Sequence, residues 1–261
     1  MKIRRSIKSW YVINLIEGEG VGTAYEYYAK TRKLVKFINS IEKPKSILIA
    51  GLPEKYGLSL DFFLLGQALQ AEIVVIDERH DALERAREAL LALQSKKLFD
   101  GLKVTFLKTD RIAEFDDGRL IEGKFDIALT SEVLQRLGDA KETYIDSLKR
   151  LAKNYVIFAP NRGNKSHANL SGLKSVYLMD LVKYCEKGQA KRAIYEYGFL
   201  DMPPFPPGLS RSKVKRMQAA ESQVETFLMK GLEIYCLCEF LFPKFLKEKT
   251  AHIAYVMVKN E

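Results

Sequence analysis

Three residues sit where chemistry is easiest to place. Asp77 closes the apolar run "EIVVID", Asp110 closes "KVTFLKTD", and Gly51 follows "SILIA" in the stretch "SILIAGLPEKYG". A carboxylate at the end of a buried strand accepts the protons of two neighbouring hydroxyls, as a ribose presents them, and such charge-assisted bonds are strong. A second carboxylate one strand further on, Asp110, reaches the edge of a base. Gly51 lets the backbone approach a ligand where a side chain would block it. Each residue alone has a plainer role: Asp77 as a helix cap in competition with Asp81, Asp110 as a turn residue, Gly51 for turn geometry. Together, at successive strand ends, they point to a nucleoside site.

These residues need a scaffold, and the hydrophobic pattern supplies one. Ser46 to Ala50, Glu72 to Asp77, Lys103 to Asp110, Lys124 to Ser131 and Tyr155 to Pro160 read as buried strands. Between them, Leu58 to Gln70 with Ser59 as a cap, His80 to Gln94, and Ala140 to Ala152 read as helices. Thr23 to Ile41, with Thr23 as its cap, reads as an amphipathic helix before the first strand. Strands alternating with helices define an α/β, doubly wound, parallel sheet. Ligands bind such sheets outside the carboxyl ends of the strands, where the strand order reverses. Those ends carry Gly51, Asp77, Asp110, Ser131, Glu132 and Asn161.

After Asn161 the pattern loosens. "RGNKSHANLSG" reads as a polar loop, Leu173 to Gly188 as a helix and Ala251 to Lys259 as a last strand. The proline-rich "PPFPP" reads as a stiff loop. Residues 161 to 215 have no evident place in the sheet and are expected to cap the strand ends within a single domain spanning residues 1 to 261.

The 261-residue chain has a composition typical of globular proteins, 47% hydrophobic and 29% charged. No window reaches the length of apolar residues a membrane helix needs. The apolar run Trp10 to Ile16 is followed at once by Glu17 and Glu19, so it reads as a first element of the fold rather than a leader. Three cysteines, Cys185, Cys236 and Cys238, are an odd number and suit a reducing cytoplasm. Their spacing matches no structural metal site, so no metal is expected. The net charge of +9 is concentrated in residues 149 to 216, with 14 basic residues against 4 acidic. Such a segment is either a solvated face or a surface that attracts an anionic substrate, a nucleic acid such as RNA or a lipid headgroup. Tyr177, Tyr184, Tyr195 and Tyr197 interleave with Lys174, Lys183, Lys187, Lys191 and Arg192, a mixture that either stacks RNA or buries tyrosines under exposed lysines.

The chain resembles the class I, Rossmann-like S-adenosylmethionine-dependent methyltransferases. The stretches that carry the resemblance are "ILIAG", "VVIDERHDALERARE", "VTFLKTD", "FDIALTSEVLQRL" and "YVIFAPNRG". "SEVLQRL" is similar to the "EVLxHx" stretch of members acting on small molecules. The resemblance covers residues 20 to 165 and implies a seven-stranded sheet with an antiparallel last strand, S-adenosylmethionine as cofactor and methyl transfer as activity. It implies Gly51 and Leu52 beside the methionine moiety, Asp77 on the ribose, Glu78, Asp110 and Arg111 near the adenine, and Ser131 bordering the donor. It places Tyr25 and Tyr28 on the helix covering the cofactor, with Asn161 and His167 on the substrate side. The family's first-motif acid is replaced by Ile49, and Glu54 is the candidate substitute.

Methyl transfer needs alignment above all, and a base only where the acceptor must lose a proton. Glu132 and His167 are the candidate bases. The fourth motif, "TSEV", is neither the Asn/Asp-Pro-Pro-Tyr type nor a Pro-Cys, which disfavours methylation of exocyclic base amines and of pyrimidine carbon. A small or medium-sized acceptor, an anionic one included, held under residues 161 to 215 is the first expectation. RNA methylation and a non-catalytic partner subunit are the alternatives. A nicotinamide enzyme fits the glycine spacing no better and leaves Asp110 unexplained.

Overall fold

The computed structural model describes residues 5–54, 57–114, 125–172, 174–188, 193–204 and 222–260. Seven strands form one sheet: β1 (Ser46–Ala50), β2 (Glu72–Asp77), β3 (Val104–Lys108), β4 (Phe125–Ser131), β5 (Ala152–Pro160), β6 (Ala193–Leu200) and β7 (Ile253–Asn260). Their order is β3-β2-β1-β4-β5-β7-β6, with β7 antiparallel to both its neighbours and the rest parallel. The strand order reverses between β1 and β4, so the crevice for a ligand lies there.

β1 shows why the sheet is buried on both faces. Ile47 and Ile49 join one core, Leu48 and Ala50 the other, as a period of two requires. Helices α1 (Ile7–Glu17), α2 (Val21–Ile38), α3 (Leu60–Leu69) and α4 (His80–Ser95) cover the first face. Helices α5 (Lys141–Leu151) and α7 (Leu178–Glu186) cover the second. α3 packs close because it carries Gly66 where a Cβ would lie 2.4 Å from Ile73 Cδ1. No described helix is long and apolar enough to cross a membrane.

Several expectations need correction. Residues 161 to 215 do include a sheet element: Ala193–Leu200 is β6, paired along its length with β7. It was illegible because an edge strand is half open to solvent, so its burial pattern is broken and Glu196 and Gly198 interrupt it. The polar stretch after Asn161 contains helix α6 (Lys165–Ser171), with Asn164 accepting the His167 N–H as its cap. Thr23 is not a cap: α2 starts at Val21 after Gly20, and the Thr23 hydroxyl donates to Glu19. Residues 205–221, which include most of the proline-rich stretch, lie outside the described residues.

The carboxyl ends of β1 and β4 are locked together by one side chain. The buried Tyr144 hydroxyl on α5 bonds both the Ala50 carbonyl and Thr130 Oγ1, the latter at 2.7 Å. Tyr144→Phe leaves a buried carbonyl and a buried hydroxyl without that partner. It is expected to lower the unfolding free energy by about 1–3 kcal/mol in urea titrations.

Candidate functional site

Buried polar atoms without a hydrogen-bond partner are not spread evenly. Among the described residues they belong to Trp10, Thr31, Ser59, Asp61 (whose Oδ2 has the Lys30 ammonium 3.3 Å away as an ion pair), Thr109, Glu132, Gln135, Arg136 and Asp201. All but the first two lie in the loops and first turns that follow a strand's carboxyl end. Such atoms are costly in a mere core and mark a place built for something else.

Asp77 ends β2 fully buried. Its Oδ2 accepts from Leu52 N (2.8 Å), Arg79 Nη2 (2.9 Å) and Arg136 Nη2 (3.1 Å), and its Oδ1 accepts from Arg79 N (2.9 Å) and Nε (3.0 Å). Burial opposes ionisation here, but the Arg79 hydrogen bonds and the Arg136 charge outweigh it and hold the carboxyl below its ordinary value. Arg79 also donates to the Leu52 and Pro53 carbonyls, so it ties the loop after β1 to β2. Gly51 has φ +83, and a Cβ there would lie 2.8 Å from Val133 Cγ2 and 3.3 Å from Arg136 Nη2. The left-handed backbone and the close approach both require glycine.

The other half of the crevice is organised by a residue the sequence reading passed over. Lys30 on α2 is fully buried. Its Nζ lies 2.9 Å from Glu26 Oε1, 3.3 Å from Asp61 Oδ2 and 3.1 Å from Ser131 Oγ. The rings of Tyr27, Phe62 and Phe158 surround it at 5.1, 5.2 and 5.7 Å. Burial opposes the charge, yet Asp61 and Glu26 outweigh it and raise the Lys30 pKa. One ammonium does not satisfy all the carboxyls near it. Burial pushes Glu132 well up, helped by Glu26 and opposed by Lys30, and burial likewise raises Glu26.

Gly51, Leu52, Asp77 and Ser131 converge on the β1/β4 crevice. Glu132 follows β4 with φ 55 and is buried, with Oε2 unpartnered. Glu78 accepts the Ile112 N–H at 3.0 Å, while Asp110 and Arg111 are exposed at the end of β3, Arg111 lying 3.7 Å from Glu114.

Glu54 is exposed. Two acids from α1 and its end bond the loop after β1: Glu17 accepts the Leu58 N–H at 2.8 Å and Glu19 the Gly57 N–H at 3.3 Å. Burial pushes Glu17 up to about 8.

The substrate-side set is more dispersed. Tyr25 is buried, and its hydroxyl donates to Glu239. Tyr28 is half-buried under the Arg32 guanidinium. Asn161 donates to the Glu248 and Ala251 carbonyls and accepts the Gly163 N–H, so its amide serves the backbone. Of the interleaved tyrosines, Tyr184 and Tyr195 pack on the second core, whereas Tyr177 and Tyr197 are exposed. Lys191 and Arg192 lie outside the described residues.

At the outer part of the same edge stand residues no local pattern announced. Asp201 follows β6 and His252 precedes β7, and their Oδ2 and Nδ1 lie 3.0 Å apart. The His167 ring stacks on His252 with centroids 4.0 Å apart and planes inclined by 14°. Burial and then the His252 charge press His167 down to about 4. Burial opposes the charge on His252, but Asp201 outweighs it and raises its pKa.

Solved structures share this architecture. An S-adenosylmethionine-dependent methyltransferase from Thermotoga maritima, a candidate histamine N-methyltransferase, aligns over 97% of this chain and 100% of its own at 10% identity and TM-score 0.51. A candidate sarcosine dimethylglycine methyltransferase from Galdieria sulphuraria aligns over 94% of this chain and 89% of its own at 12% identity and TM-score 0.52. No protein-family model and no curated protein matches the sequence. The chain has the class I methyltransferase fold.

Proposed function

We propose that the protein is an S-adenosylmethionine-dependent methyltransferase acting on a small or medium-sized acceptor. The observation that carries this reading is the gathering of orphaned buried polar atoms at the carboxyl edge of a sheet of this fold, around Asp77 and Ser131. The donor set fits an adenosine with one condition: a ribose must take Asp77 oxygens now held by Arg79 and Arg136. Leu52, through the bond of its N–H to Asp77, keeps the glycine loop in register with that carboxylate. When bound, the cofactor supplies an electrophilic methyl group. The chain's part is to hold it against Ser131 and keep water out under α2. An anionic acceptor suits the Lys30 half of the crevice poorly, because Glu26, Asp61 and Glu132 surround the single ammonium there.

Calorimetry with S-adenosylmethionine and with NAD tests the reading. Saturable heat with the first and none with the second is expected. NAD binding without S-adenosylmethionine binding would sink it. A second reading, a non-catalytic partner subunit, has one observation in its favour. The helix Gln223–Cys238 and the turn after it expose Val224, Phe227, Leu228, Ile234, Leu237, Phe240 and Leu241, an apolar surface of the kind that proteins bind through. Elution as a monomer at micromolar concentration, together with S-adenosylmethionine binding, would remove the support for that alternative.

A further inference from the structure

The Asp201–His252 pair has the layout of a proton-accepting dyad. His252 Nδ1 faces Asp201 Oδ2 at 3.0 Å, so Nδ1–H donates and Nε2 carries the lone pair. The pair is held at both ends: the His252 N–H donates to the Asp201 carbonyl at 2.8 Å, and the His252 carbonyl accepts the Asn161 N–H at 2.8 Å. Asp201 is 3% exposed and stands at φ 66, with Oδ1 unpartnered. A non-glycine residue kept in the left-handed region beside an unsatisfied carboxylate is a feature that function, more than folding, retains. The His167 ring covers one face of the imidazole, and 17% of the His252 side chain stays open for a proton to leave.

The dyad is also in the right neighbourhood. The His252 carbonyl accepts the Asn161 N–H just past the carboxyl end of β5, and β5 neighbours β4, whose end carries Ser131 and Glu132, the Glu132 N–H donating to the Phe158 carbonyl at 3.0 Å. Among the described residues Asp201 and His167 lie against the ring, from the end of β6 and from α6, while Glu26 on α2 and Glu239 after Cys238 act on it electrostatically.

We infer that His252 is the general base of the methyl transfer, with Asp201 as its positioning residue, and that the acceptor carries a hydroxyl, thiol or ammonium proton it must lose. The inference rests on the methyltransferase reading. In the step, the acceptor's lone pair bonds the methyl carbon and the carbon–sulfur electron pair stays on the sulfur of the departing thioether. The acceptor's proton goes to His252 Nε2 and from there to solvent. His167, held neutral by burial, serves as the stacking partner rather than the base.

The test has two arms. The chain has three histidines, so proton NMR of the whole protein resolves them with single variants. The His252 ring is expected to titrate above an ordinary histidine, and Asp201→Asn is expected to bring it down. A His252 midpoint at the ordinary value, or one unmoved by Asp201→Asn, overturns the dyad whatever the protein binds. In the second arm the protein, S-adenosylmethionine and a panel of small amines, phenols and thiols are assayed for S-adenosylhomocysteine.

Turnover is expected to rise with pH through the His252 midpoint, because the base must be unprotonated. His252→Ala should lose about 100-fold in kcat at unchanged S-adenosylmethionine affinity, with partial rescue by imidazole. A His252→Ala enzyme as fast as wild type, or a panel with no turnover by a protein that binds S-adenosylmethionine, overturns the inference and leaves the broader reading standing. Absence of S-adenosylmethionine binding defeats the broader reading instead.

Discussion

Lys30→Met is expected to lower the unfolding free energy by about 3–5 kcal/mol, the loss found when one partner of a buried ion pair is removed. The side chains are close in volume, so packing against Tyr27, Phe62 and Phe158 survives and the effect is electrostatic. What remains is the partly buried Glu26 and the fully buried Asp61, without the ammonium that held them. The pH dependence follows from the signs. In wild type the raised Lys30 pKa keeps the cluster's contribution in place up to strongly alkaline pH. In the variant the Lys30 charge no longer opposes the burial that raises Glu26 and Asp61. Carboxyls raised in the folded state favour folding below their unfolded pKa, and that advantage fades as pH rises. The variant should therefore be closest to wild type near pH 4 and furthest from it at neutral pH. Urea titrations at the two pH values measure this. Equal midpoints at neutral pH would mean that the ammonium contributes nothing.

The same residue shows what the sequence could have yielded. Tyr27, Leu34 and Ile38 define the apolar face of α2, and Lys30, three residues after Tyr27 and four before Leu34, lies on that face. A charge among core positions is a signal, as is Asp61, the lone acid in the otherwise apolar "LSLDFFLLGQALQ". Both were available and were absorbed into the helix pattern. Asp77 and Gly51 were legible because each punctuates an apolar run, and a strand that ends on an acid announces its carboxyl end. The Asp201–His252 pair had no local signal. The two residues are 51 positions apart and meet only because β6 pairs with β7, and β6 was the strand that edge exposure concealed. The arginines on Asp77 were invisible for a related reason. Arg79 is two residues from it, but Arg136 arrives from the turn after β4, a meeting that only the β1–β4 reversal brings about.

Asp77→Asn is expected to affect both the fold and the site, and the two effects are separable. The amide keeps the shape but removes the charge that neutralises Arg79 and Arg136, and Arg136 has only 11% of its side chain exposed. A loss of about 3–5 kcal/mol in unfolding free energy should follow. The wild-type carboxyl is held below its ordinary pKa. A lowered carboxyl contributes stability above its unfolded value and loses it as pH falls, so the gap between the two proteins should be full at neutral pH and close only in acid. S-adenosylmethionine affinity should fall by about 100-fold, because an amide offers no charge-assisted acceptor for two ribose hydroxyls. A damaged fold alone would also weaken binding, so a compensated variant decides the matter. Asp77→Leu combined with Arg79→Leu and Arg136→Met replaces the buried ionic set with apolar groups and should recover most of the lost stability, as such exchanges do elsewhere. If Asp77 is the ribose acid, that variant folds and still does not bind. If it binds like wild type, the carboxylate serves only to hold the two arginines, and the nucleoside must be recognised elsewhere along the edge.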